Sequence, residues 1–186
     1  MSRVLLFMMV TLDGYFEGAG QQIDWHNVDD EFNEFAIAQL KEVETLLFGR
    51  VTYEMMAGYW PTEQARTNDP IVAGLMNGKP KIVFSRSLSD ANWENTRLVK
   101  KHFAAEVTKL KQGPGGDMII YGSSDLAVTF LEHGLLDECR VMINPVVLGR
   151  GKSLFQGIND RLRLKLMRTK TFHSGNVLLY YEPVRK

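Results

Sequence analysis

Residues 3–11, RVLLFMMVT, restrict the fold more than any other stretch of the chain. From Val4 to Val10 every side chain is apolar, so neither face of this segment can be turned to water. A strand of that kind has to be covered on both sides, as in the middle of a parallel sheet flanked by helices. The run is too short to cross a membrane as a helix, which takes about 20 apolar residues. Asp13 follows it closely, and no small-residue cleavage pattern accompanies it, so it does not read as a signal peptide.

Helical and strand patterns then alternate. Residues 12–28 are rich in Gly, Asp and Gln and read as a long loop. Asp29 or Asp30 can cap a helix with Phe32, Phe35, Ala36, Leu40 and Val43 on its inner face. Thr45 to Phe48 is a second strand, closed by Gly49 and followed by a helix carrying Tyr53, Met56, Ala57 and Trp60 on one side. Asp69-Pro70 opens another helix, which Gly78 ends. Lys81 to Ser85 is a third strand, Thr96 to Val99 fits a fourth, and His102 to Lys111 is helical. Asp117 to Tyr121 is a fifth strand, ending at Gly122, with Ser123 or Ser124 capping the next helix. Beyond Asp137 the helices stop: 140–147, 162–171 and 176–182 read as strands, with His173 to Asn176 as a hairpin turn. The expectation is one α/β domain over residues 1–186, a mostly parallel sheet with antiparallel strands added at its C-terminal end.

Lys plus Arg equals Asp plus Glu at 22 each, which gives no electrostatic reason to expect nucleic acid or an anionic membrane as partner. Cys139 is the single cysteine, so no intrachain disulfide can form, and a reducing, cytoplasmic home is the default expectation. His26, His102, His133 and His173 form no metal-ligand spacing and read as surface or helix-end residues; no metal site is expected.

The chemistry is expected beyond the carboxyl ends of the strands, where open α/β sheets bind ligands. Three strand ends are alike: Phe48-Gly49-Arg50, Phe84-Ser85-Arg86 and Tyr121-Gly122-Ser123-Ser124. Glycine there admits a phosphate close to backbone amides, and a helix N-terminus adds partial positive charge. Two such turns can hold a pyrophosphate, and Arg50, Ser85 and Arg86 can hold a further phosphate. That points to a dinucleotide, and to NADP rather than NAD. Each glycine can equally be a plain turn residue; the set of three strand ends tips the balance. No G-x-G-x-x-G follows a strand, and the Gly151-Lys152-Ser153 end of a P-loop lacks its first glycine, Val146 standing there.

A reductase also needs a proton source. Asp24 beside Trp25 is the first candidate, since a carboxyl partly buried against an aromatic ring has a raised pKa. Asp13 before Gly14 is the second. Loop solubility, turn formation and helix capping explain both carboxylates as well. Tyr53 can hydrogen-bond a substrate and Trp60 can stack on a planar ring, although both also read as core aromatics.

Several blocks, in order, resemble the dihydrofolate-reductase-like superfamily: 10–15 (VTLDGY), 48–54 (FGRVTYE), 121–126 (YGSSDL), 135–138 (LLDE) and 144–155 (NPVVLGRGKSLF). The closest branch is the single-domain proteins similar to the C-terminal reductase domain of the bifunctional riboflavin-biosynthesis deaminase/reductase. The resemblance implies a three-layer fold around an eight-stranded mixed sheet, NADPH as cofactor, and a homodimer. Carried over by position, Gly49, Arg50 and Thr52 would face the adenosine side. Ser85 and Arg86 would meet the 2′-phosphate, and Gly122, Ser123, Ser124 and Leu126 the pyrophosphate. Thr11 and Leu12 would line the nicotinamide. Beside that carry-over, the residues themselves add Gly14 to the cofactor set and make Trp25, Tyr53 and Trp60 the substrate-facing candidates. Dihydrofolate reductases have two glycines where this chain has Gly122-Ser123, and the deaminase domain is absent. The expected activity is reduction of a C=N or C=O bond in a small pterin- or pyrimidine-like molecule. The alternatives are an NADP-binding module without catalysis, a dihydrofolate-reductase-type activity, and an interaction protein.

Overall fold

The computed structural model describes residues 1–184. Its sheet has eight strands in the order β5-β4-β3-β6-β1-β7-β10-β9. These are β1 (Val4–Thr11), β3 (Thr45–Gly49), β4 (Lys81–Phe84), β5 (Thr96–Val99), β6 (Met118–Tyr121), β7 (Glu138–Asn144), β9 (Leu164–Thr171) and β10 (Val177–Pro183). The first six pair in parallel; β10 runs antiparallel to β7, and β9 antiparallel to β10. Two short strands, β2 (Tyr15–Glu17) and β8 (Lys152–Ser153), form a separate ribbon that the sequence pattern did not announce.

β1 behaves as its composition demands. All eight of its residues are buried. Val4, Leu6, Met8 and Val10 enter one apolar layer; Leu5, Phe7 and Met9 enter the other. The first layer is closed by α5 (Phe103–Gln112) and α6 (Ser124–Glu132), through Val107, Leu126, Ala127 and Phe130. The second is closed by α1 (Asp30–Glu42), α2 (Arg50–Tyr59) and α4 (Pro70–Gly78), through Phe32, Phe35, Leu40, Met56 and Met76. A further short helix, α3 (Glu63–Asn68), lies between α2 and α4, in a stretch to which the sequence pattern assigns no element. Asp29 caps α1, its carboxylate accepting the Phe32 amide at 2.8 Å.

The order of strands creates the site. From β1 the chain moves two places along the sheet to β3, continues outward to β4 and β5, and returns to fill the gap with β6. Its direction of travel therefore reverses around β6, and crevices beyond the carboxyl ends of parallel strands open at such reversals. No helix among the described residues is long and apolar enough to cross a membrane.

Candidate functional site

Gly49, Ser85 and Gly122 stand at the carboxyl ends of β3, β4 and β6, three adjacent strands. Register brings them level: Gly49 pairs with Phe84, and Leu47 with Ile120. The convergence expected of the three strand ends is therefore present.

Two turns there interlock. Gly122 and Ser123 are both left-handed, at φ +60°. The Gly49 amide donates to Ser123 Oγ at 2.8 Å, and Ser123 Oγ donates to Thr52 Oγ1 at 2.9 Å. A Cβ on Gly49 would lie 2.9 Å from Ser123 Oγ, and one on Gly122 would lie 3.1 Å from Thr52 Oγ1. A side chain at Gly49 would displace the Ser123 hydroxyl, and at Gly122 a tight contact adds to a left-handed backbone that favours glycine. Neither α2 nor α6 has a side-chain cap, so the first amides of both helices remain for a ligand. Ser124 and Leu126 begin α6 as buried residues beneath this surface.

The cations flank it. Arg50 is exposed and pairs with Glu54 at 2.8 Å, a surface contact that gives way readily to a phosphate. Arg86 is exposed, its guanidinium 5.9 Å from the Phe103 ring. Ser85 Oγ accepts the Leu88 amide at 3.0 Å and the Ser87 amide at 3.3 Å and lies 3.5 Å from Ser87 Oγ, which shapes the turn.

At the end of β1, Thr11 is buried while Leu12 is 66% exposed. Thr11 Oγ1 donates to Asp13 at 2.6 Å and accepts the Tyr15 amide at 3.0 Å. Gly14, at φ +86°, makes the turn that closes this loop. Asp13 also accepts the amides of Gly149 at 2.7 Å and Leu148 at 3.3 Å. The Thr11 hydroxyl above all, with those amides, holds its carboxyl below the ordinary range. Asp13 is therefore a clamp between two loops and not a reservoir of protons, contrary to its expected role.

Other expectations fail on placement. Asp24 is exposed, so the partial burial against an aromatic ring expected of it is missing. Tyr53 is 4% exposed, stacks near Phe48 and Trp93, and its hydroxyl accepts the Trp93 backbone amide at 3.0 Å. It is a core residue without a face for substrate. Trp60 packs into the same apolar layer and donates to Met56 Sδ at 3.1 Å. Trp25 is half-buried, with His26 edge-on to it at 4.5 Å.

Sequence reasoning missed an asparagine staple behind this loop. The Asn27 amide donates to Asn144 Oδ1 at 2.9 Å, and its carbonyl accepts from Asn176 Nδ2 at 2.8 Å. Its own side chain donates to the Ser174 carbonyl at 3.0 Å. Asn144 and Asn176 are completely buried, and Asn144 pairs in register with Thr11. His26, expected at the surface, has its Nε2 buried without a partner. Nothing in the spacing of these residues marks them; only the meeting of three loops does.

Residues 2–178 match the RibD C-terminal domain. The chain belongs to that family. Two relatives from Bacillus subtilis (strain 168) align along nearly their whole length. The uncharacterised protein YyaP is 36% identical over 181 residues, 96% of this chain and 94% of its own. The uncharacterised protein YwjB is 27% identical over 184 residues, covering 96% and 97%. Among solved structures, a proposed riboflavin biosynthesis protein from Shewanella sp. PV-4 superposes with a TM-score of 0.77 at 22% identity, covering 98% and 99% of the two chains. RibD of Acinetobacter baumannii gives 0.71 at 16% identity, and this chain corresponds to 58% of it. Enterococcus faecalis dihydrofolate reductase, solved with NADP(H), gives 0.64 at 15%, covering 97% and 96%. The family and its dihydrofolate-reductase-like fold, with the eight-stranded mixed sheet, are thus as expected.

Proposed function

We propose that this RibD C-terminal domain protein is an NADPH-dependent reductase of a small heterocycle, pterin- or pyrimidine-like, resembling the 5-amino-6-(5-phosphoribosylamino)uracil reductase of riboflavin biosynthesis. The observation that carries the reading is the pair of interlocked turns, Gly49–Thr52 and Gly122–Ser124, with uncapped helices behind both. Positions where a Cβ would collide, and helix amides left open, fit a pyrophosphate. Arg50 and Arg86 fit the extra phosphate that distinguishes NADPH from NADH. When bound, that cofactor supplies a hydride. The chain's own part is to seat the nucleotide on the β3, β4 and β6 ends and to shape the nicotinamide end with Thr11 and Leu12. No described carboxylate near that end is buried and uncommitted: Asp13 is bonded to three donors, Asp29 caps α1, and Asp24 is in water.

Titration calorimetry of the Arg50→Ala and Arg86→Ala variants tests this. Each should weaken NADPH about tenfold or more, with little change for NADH. Equal losses for both nucleotides refute the assignment. A homodimer belongs to the same proposal. The edge strand β9 leaves Leu166 and Met167 about half exposed, at 49% and 47%, and light scattering decides whether a second copy covers them.

A further inference from the structure

Ser123 stands where a capping serine would, yet it accepts no bond from the first amides of α6. Its left-handed backbone, at φ +60°, accompanies a side chain engaged with the turn after β3. There the hydroxyl accepts from Gly49 and donates to Thr52. We propose that Ser123 is a positioning residue whose hydroxyl latches the β3–α2 turn to the β6–α6 turn, holding two sets of helix amides in one fixed relation for the dinucleotide. This rests on the nucleotide-site reading above.

Three features support it. First, a non-glycine residue in the left-handed region bears a conformational penalty that glycine would avoid. Something specific to serine has to offset it, and the two hydroxyl bonds are what the structure offers. Second, the latch and Gly49 specify each other, because any Cβ at position 49 would meet Ser123 Oγ at 2.9 Å. Third, the bonds have a direction. The Gly49 amide feeds the Ser123 hydroxyl, which feeds Thr52 Oγ1, so the Thr52 proton is the last in the chain. Each bond polarises the next, which makes that final proton a better donor to a phosphate oxygen. A serine that instead bound phosphate directly would act independently of Thr52, and the two roles separate by experiment.

The variants are Ser123→Ala, Ser123→Gly, Thr52→Val and the double Ser123→Ala/Thr52→Val. Amide exchange of Gly49 is followed by NMR without ligand, and NADPH affinity by calorimetry. Ser123→Ala should speed Gly49 exchange and weaken NADPH about fivefold. Ser123→Gly, which relieves the backbone but lacks the hydroxyl, should not restore affinity. The double variant should bind NADPH no more weakly than the worse single one. Unchanged Gly49 exchange in Ser123→Ala, additive losses in the double variant, or tighter NADPH in any of them overturns the latch. If the unaltered protein fails to bind NADPH, the nucleotide-site reading falls, while Gly49 exchange still judges the latch by itself.

Discussion

The buried imidazole of His26 makes a prediction that can be worked through in numbers. Its Nε2 is enclosed and unpartnered, and burial pushes its pKa from 6.5 down to about 4. In the unfolded chain the same ring takes up a proton near pH 6.5. The folded chain refuses that proton until about pH 4. Acid therefore favours the unfolded state: this contribution to stability is whole above about pH 6.5 and is lost as pH falls toward 4. Each unit of that window removes about 1.4 kcal/mol, so about 2 kcal/mol goes between pH 6.5 and 5, and about 3 kcal/mol over the whole span. The upper part of the window is the informative one. The paired carboxylates of Glu31, Glu42 and Asp117 are all held below their usual range and titrate later. His26→Phe is the matching perturbation. It forfeits no hydrogen bond at Nε2 and keeps a ring against Trp25. Urea unfolding, followed by tryptophan fluorescence at a series of pH values, should show the variant level between pH 7 and 5 while the parent declines. The ring proton resonances of His26 should shift only near pH 4. Superimposable acid limbs, or an imidazole titrating near 6.5, would refute the reasoning.

Four further outcomes follow from single contacts. Lys81 is 1% exposed and donates to the carbonyls of Met76, Asn77 and Lys79 at 2.8–2.9 Å, closing the end of α4; Lys81→Met should lose about 3 kcal/mol by urea unfolding. Arg140→Met leaves Glu138, only 15% exposed, without its 2.6 Å partner and should lose about 3 kcal/mol in the same assay. Gly49→Ala drives a methyl group against Ser123 Oγ; a loss of about 1–3 kcal/mol is expected, together with loss of the thermal shift induced by NADPH. Tyr53→Phe should lower stability by about 1 kcal/mol, by stranding the Trp93 amide, and leave NADPH affinity unaltered. A changed affinity there would restore Tyr53 to the site.

The parts of the fold that follow from local pattern were legible in the sequence. β1, a helix cap at Asp29 or Asp30 (Asp29 is the one used), the Pro70 helix start and the hairpin turn at 173–176 each follow from a run, a cap residue or a glycine. The alignment of Gly49, Ser85 and Gly122 was legible too, because parallel strands put their carboxyl ends on one edge. The direction of side chains was not. Tyr53 sits on the helix that leaves the site, but its place in the turn of α2 sends its ring toward Phe48 and Trp93. Asp13 lies beside the site, but two amides from a loop about 135 residues away along the chain capture its carboxylate. Asn27, Asn144 and Asn176 serve loops that no periodicity describes, and only the assembled fold brings them together.

One row of aromatic and basic residues through an apolar sheet ties these observations to the site. Tyr121, Phe7, Arg140, Tyr180 and Arg168 are successive register partners across β6, β1, β7, β10 and β9. Arg140 is 2% exposed, forms two 2.8 Å bonds with Glu42 of α1, and reaches Gln39 Oε1 at 3.2 Å. Gln39 in turn donates to the Tyr121 hydroxyl at 3.3 Å. A buried guanidinium carries a desolvation cost that an apolar residue would avoid, so its presence is poor evidence for stability as such. Its directionality is what distinguishes it from leucine. Greasy contacts tolerate α1 sliding along the sheet, whereas the bidentate pair at Glu42 and the Gln39 link fix its register. Tyr121 is the residue before Gly122. The network therefore connects the seat of α1, whose leading loop holds Asp24 and Trp25, to the strand end that carries the Gly122–Ser123 turn. The loop before α1 and the Gly122–Ser123 turn are thereby held to a common frame at the edge of the sheet.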